Sequence, residues 1–241
     1  MENQRFSPAN EMLDDAREEI EALMTQLDAA KDDCSINKLA EKHIRRALLE
    51  MRGCLDYLAH QIWKTIGFNT EEHLIEFPIC RDEGAFANAI RNRFPDLDDK
   101  HPEIYTLLLQ FQPFNGNHWI EYLRKYVNVV KHRHPVQQRR KNQGVVWKIG
   151  NATAFEISGG GKVVLHGTTV QGTAPTTHAP IEFSETSNLG DVQAAYPTLD
   201  WTNRYESVKF NFPDDIDVCK MLDSSEQRIR VLLEKVAYCL R

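Results

Sequence analysis

The chain lacks any apolar run near the roughly 20 residues that a membrane-spanning helix needs. Its start, MENQRFSPANEMLDDAREE, is acidic where a secretory leader is basic and then apolar. A cytoplasmic protein with no membrane partner is therefore expected. Cysteine is scarce and odd in number: Cys34, Cys54, Cys80, Cys219 and Cys239 are scattered, with no CxxC and no Cys/His ligand spacing. Reduced thiols are expected, and neither a disulfide framework nor a zinc site. Walker, GxSxG, GxGxxG and HExxH patterns are all missing, which removes sequence support for triphosphatase, hydrolase, dinucleotide and zincin readings. The triplet Gly159-Gly160-Gly161 lacks the Lys-Ser/Thr ending and following helix of a phosphate loop. No metal and no cofactor are expected.

What is present is ordinary globular composition, 41% hydrophobic and 27% charged over 241 residues, enough to bury a core without staples. The net charge of −6 excludes a chain coated all over with nucleic-acid-binding charge. Lys131 to Lys141 stands apart. KHRHPVQQRRK carries five Lys/Arg and two His in eleven residues without a carboxylate. Such a run either attracts phosphates or is a solvated, mobile connector; Arg133, Arg139, Arg140 and Lys141 are its candidate nucleic-acid contacts.

The pattern predicts an α+β fold: a helical bundle over 1–143, a β-rich insert over 144–212, and a C-terminal helix over 213–241 that returns to the bundle. A first helix spans about Ser7 to Asp33, opened by Ser-Pro. In the second, about Ser35 to Ile66, Ile44, Leu48, Met51, Leu55, Leu58 and Ile62 recur at steps of four and three, the seam of a bundle or coiled coil. Gly67 ends it, and Leu74 to Ile79 reads as an extended connector. Short helices follow at Glu83–Arg93 and Pro102–Phe111. Asn117 to about Arg133 repeats the helical spacing through Ile120, Leu123, Val127 and Val130. Beyond Gly144, β-prone runs at 145–149, 153–157 and 162–166 suggest hairpins. Thr173 to Asn188 reads as a flexible loop, Ser207–Phe212 as a further strand, and Asp214–Leu240 as the last helix.

Two polar stripes sit beside the apolar ones. Arg52, Asp56 and His60 are four residues apart on the second helix, where the Asp is placed to orient an imidazole; an ordinary salt-bridge ladder has the same spacing. Arg124, Asn128, Lys131 and His132 occupy i, i+4, i+7 and i+8 on another helix. One imidazole, two cations and a carboxamide suit a phosphodiester and its protons, while a cationic helix end is the plainer account. Trp119, Tyr122 and Tyr126 beside Arg124 and Lys125 either stack bases or belong to the core.

The segments MRGCLDYLAHQIW, FPI at Phe77–Ile79, QPF at Gln112–Phe114 and NVVKHR at Asn128–Arg133 resemble an uncharacterised bacterial protein family with the same succession before a β-rich C-terminal part. At one remove the helical arrangement is similar to the HEPN superfamily, whose members frequently act as metal-independent ribonucleases in toxin and phage-defence systems. That resemblance implies a homodimer, RNA as partner, and His132 as the catalytic His, with Arg124 or Lys125 as the accompanying cation. In that superfamily four to six residues separate cation and His; here seven separate Arg124 from His132. The competing reading is a non-catalytic helical module that dimerises or senses a ligand.

Overall fold

A computed structural model describes residues 5–29, 38–132, 139–158, 160–166, 169–177, 179–184 and 187–241; for residues 28, 29, 38, 132, 139–143 and 203–210 it describes the backbone alone. The fold is α+β. It divides into two compact units, one of residues 1–24, 38–137 and 216–241, the other of 25–37 and 138–215.

The helical unit contains α1 (Ser7–Ala29) as far as Met24, α2 (Lys38–Ile66), α3 (Glu83–Arg93), α4 (Leu97–Lys100), α5 (Pro102–Gln110), α6 (His118–His132) and α8 (Val218–Cys239). The four-three spacing of α2 brings Leu48, Met51, Leu55, Leu58 and Ile62 to one side, and each is completely buried. That seam packs within the same chain, where α2 meets α6 and α8. Of the two settings that its spacing allows, a bundle or a coiled coil, the seam is used within the bundle of its own chain. Gly67 closes α2 with a φ of +80°, a left-handed conformation that glycine adopts without strain, and its N–H donates to Trp63 O at 3.0 Å.

α8 packs on α2, α5 and α6, so the chain returns to the bundle after the β segment. Asp217 caps its start, accepting from the Lys220 N–H at 3.1 Å. Asp82 does the same for α3 through the Ala85 N–H at 2.8 Å. That hydrogen bond, helped by Arg81, holds the exposed Asp82 carboxyl below its ordinary pKa.

The second unit holds β1 (Arg139–Ile149), β2 (Ala152–Ile157), β3 (Lys162–Leu165), β4 (Ile181–Ser184), α7 (Leu189–Ala195) and β5 (Trp201–Asn211). β1 is central in an antiparallel sheet of order β2-β1-β5, and β3 pairs with β4. Two expectations change here. β4 lies inside the stretch read as a loop, because Ile181 and Phe183 alternate inward around exposed Glu182. β1 begins at Arg139 rather than near Gly144, since Arg139, Arg140 and Lys141 pair with Asn211, Phe210 and Lys209 of a β5 longer than expected. Phe183 ties the two sheets together, with its ring 5.1 Å from Trp147 and 4.9 Å from Phe155. Among the described residues, the buried indole N–H groups of Trp147 and Trp201 meet no acceptor.

Candidate functional site

The helical unit carries a groove of about 450 Å³ where α2, α3, α6 and the connector before α3 come together. The connector supplies its floor. Phe77 and Ile79 are buried while Glu76 points outward, and a non-helical backbone in that position needs partners for its N–H and C=O groups.

Side chains from three helical segments supply them. Asp56 accepts the Phe77 N–H at 3.0 Å, and Arg52 reaches Phe77 O at 3.5 Å. Gln112, fully buried after α5, donates to Pro78 O at 2.9 Å and to Leu108 O at 3.0 Å, and accepts the Cys80 N–H at 2.9 Å. Arg124 of α6 donates to Ile79 O at 3.4 Å. Asp56 of the LD segment, Gln112 of QPF and Arg124, one turn before NxxK, thus hold the backbone around FPI although they are far apart in sequence. Neither Gln112 nor the pairing residues Glu76 and Arg93 emerged from the sequence as site residues. The QPF segment was the available signal, but it reads more readily as a helix breaker than as a bridging carboxamide.

The charges in the groove fall into two groups. Arg52 binds Asp56 through two nitrogens, at 2.9 and 2.8 Å, and lies 3.5 Å from Glu76, which also pairs with Arg93. This chain of two cations and two carboxylates is internally balanced. Along α6 the situation differs. Arg124 has the Ile79 carbonyl as a neutral acceptor, and the exposed side chains of Asn128 and Lys131 have no hydrogen bond or ion pair to a described residue. Two positive charges and a carboxamide are left facing the groove without a carboxylate partner.

The two expected polar stripes therefore meet, though not completely. Arg52, Asp56, Arg124, Asn128 and Lys131 all line the groove. His60 does not: one turn beyond Asp56 it stands beside the short 3₁₀ turn Glu72–Leu74, with Nδ1 4.0 Å from Glu72 and its ring edge-on to Trp63. The connector crosses α2 at Asp56, so the next residue of the stripe lies past it. Asp56 consequently orients Arg52 and the Phe77 amide rather than an imidazole. His132 closes α6 directly after Lys131, its backbone alone being described. Arg133 lies outside the described residues, and Arg139, Arg140 and Lys141 belong to the other unit as the first residues of β1. Lys125 is exposed over the Tyr126 ring at 5.5 Å and does not line the groove.

Trp119 and Tyr126 are buried at 7% and 2% exposure, which makes them core and removes them as stacking surfaces. Cys80 lines the groove, but burial pushes its thiol above the ordinary pKa against the opposing pull of Arg93 and Arg124. It is a thiol, not a thiolate nucleophile, at neutral pH. Among the described residues, no helix is long and apolar enough to cross a membrane, and no group of three or more His, Cys, Asp or Glu side chains is placed to hold a metal ion. Comparison with known proteins finds no family model, no curated protein and no solved structure that matches this chain.

Proposed function

We propose that this protein binds RNA in the α2–α6 groove and cleaves it without a metal ion, as an HEPN-like ribonuclease of the kind used in toxin and phage-defence systems. The supporting observation is the pair of uncompensated cations, Arg124 and Lys131, with Asn128 between them. Cations already placed in a partly enclosed groove stabilise the charge that develops on phosphoryl oxygens without reorganising at the moment of reaction. His132, adjacent to Lys131 in sequence, has an imidazole whose ordinary pKa of about 6.5 suits proton transfer at neutral pH.

In the reaction proposed, His132 takes the proton of a ribose 2′-hydroxyl as that oxygen attacks the neighbouring phosphorus. The bond from phosphorus to the 5′ oxygen breaks, and that oxygen leaves with a proton from water. The products are a 2′,3′-cyclic phosphate and a 5′-hydroxyl end. Arg124 and Lys131 neutralise the phosphoryl oxygens, and Asn128 donates to them.

A non-catalytic module is favoured by one observation: Arg52, Asp56 and Gln112 are spent on holding the connector. Incubation of the full chain with RNA in EDTA separates the readings. Cleavage to cyclic-phosphate ends that disappears in His132→Ala, with RNA binding retained, supports the nuclease. Absence of cleavage by the unaltered protein, or equal cleavage by His132→Ala, leaves the module.

A further inference from the structure

Taking RNA binding in this groove as the starting point, we infer that the groove recognises the phosphodiester backbone alone and is blind to base identity.

Reading a base requires either a ring to stack on or a polar group whose hydrogen bonds are not already committed. Among the described residues the groove has neither in quantity. Its one aromatic lining residue, Phe77, is 1% exposed and turned into the core. The carboxylates that would accept from a base amino group are engaged: Asp56 by Arg52 and the Phe77 N–H, Glu76 by Arg93 and Arg52. The Gln112 carboxamide is wholly buried, with both its ends used on the main chain. Asn128 remains, a single exposed carboxamide on a helix face, and one such group does not specify a sequence.

The groups left without a carboxylate partner are those that suit phosphates, Arg124 keeping guanidinium N–H groups beyond the one it gives to Ile79 O. Arg124 and Lys131 are seven residues apart on α6, about 10 Å along the axis at 1.5 Å per residue. A nucleic-acid backbone laid along that helix meets both cations in succession, with Asn128 donating between them. Each neutralised phosphate releases counterions, so each cation should be visible as a share of the salt dependence of binding.

The test uses the full chain and labelled 2′-O-methyl oligonucleotides of equal length, homopolymers of A, U and C. Blocking the 2′ oxygen prevents the cleavage proposed above, so binding is measured whether or not the protein is a nuclease. The expected result is affinities within about threefold of one another, with the slope of log K against log salt reduced by about 0.7 in each of Arg124→Gln and Lys131→Gln. Neither residue has a charged partner to abandon; the thermal melt of Lys131→Gln should overlay the parent, while Arg124→Gln, which loses the hydrogen bond to Ile79 O, should remain folded and melt slightly lower. A preference of tenfold or more for one homopolymer overturns backbone-only recognition while leaving RNA binding in place. Unchanged slopes in both variants also overturn it, by placing the phosphate contacts elsewhere. No binding to any of the oligonucleotides removes this inference and the RNA-binding reading together.

Discussion

Arg17, Glu226 and Arg230 between α1 and α8, and Arg124, Asn128 and Lys131 along α6, are polar clusters on the same helical unit with opposite electrostatic endings. In the first, Arg17 pairs with Glu226 and with Asp223 at 2.6 Å, while Arg230 pairs with Glu226 at 2.8 Å and Asp14 at 3.0 Å. Glu226 is 1% exposed, and each cation of the cluster has two carboxylate partners. In the second, Arg124 and Lys131 face a groove whose carboxylates, Asp56 and Glu76, are paired with Arg52 and Arg93 instead. A charge that is buried and matched is part of the architecture, whereas one that is open and unmatched is available to a partner. Arg52 and Asp56 lie in the groove but belong with the first kind, since their charges cancel and their hydrogen bonds fix a backbone.

α8, which carries Glu226 and Arg230, and α6, which carries Arg124 and Lys131, both pack on α2, so Leu55→Ala should cost about 2–5 kcal/mol by losing transfer energy and leaving a cavity. A urea titration showing a mild loss there would remove α2 from the centre of the core. Glu226→Ala should cost about 2–3 kcal/mol through two lost charge-assisted hydrogen bonds, softened because Arg17 and Arg230 are partly exposed and can turn toward water. Lys131→Gln should change stability by less than about 0.5 kcal/mol yet weaken RNA binding roughly fivefold, about 1 kcal/mol. If Glu226 proves neutral and Lys131 destabilising in chemical denaturation, the assignment of matched and unmatched clusters is reversed.

The smallest effect concerns pH. Burial raises the pKa of Glu19, but hydrogen bonds and charges from His43 and Arg46 outweigh it, and the carboxyl is held below its ordinary value of 4.5. A carboxylate depressed in the folded state contributes stability that is complete above the unfolded value and is lost as pH falls through the folded one. Denaturation followed from neutral pH down through 4.5 should therefore show Glu19→Gln converging on the parent chain toward acid. A constant gap at all pH values would exclude ionisation of Glu19 as its origin. Cys54 offers a check by chemistry: its thiol is pushed up to about 12 by burial and should resist alkylation until the chain unfolds.

Helices were legible wherever apolar spacing ran for several turns. α2, α6 and α8 lie where the periodicity places them, because each must bury one continuous stripe, and the short α3 and α5 lie where expected between proline breakers. The β unit was harder to read. Arg139 to Lys141 looks like part of a solvated basic connector, and only the partner strand β5 makes it the start of β1; strand pairing is non-local, and a run of like charges has no polar-apolar alternation to announce it. β4 was hidden for a similar reason, since four residues with two inward side chains are too few to stand out in a polar stretch. At the site, i, i+4 spacing correctly placed Arg52 with Asp56 and Arg124 with Asn128. The same rule carried His60 into a site it does not line, because spacing along one helix cannot tell where another segment crosses it.

Sequence alone determined the helical periodicity, the order of helices and β-prone runs, and the two polar stripes, since these depend on residues a few positions apart obeying helix and strand geometry. Tertiary structure decided which stripe residues meet and which charges cancel. Arg93 and Glu76 became parts of the groove, and Gln112 the buried support of the connector beneath it, only when residues 76–80 were laid against α2, α3 and α6. The α2 seam, equally suited by its spacing to another chain, was consumed by α6 and α8 of its own. In both cases the outcome depends on which partner reaches a surface first in space, and periodicity in one segment carries no information about that partner.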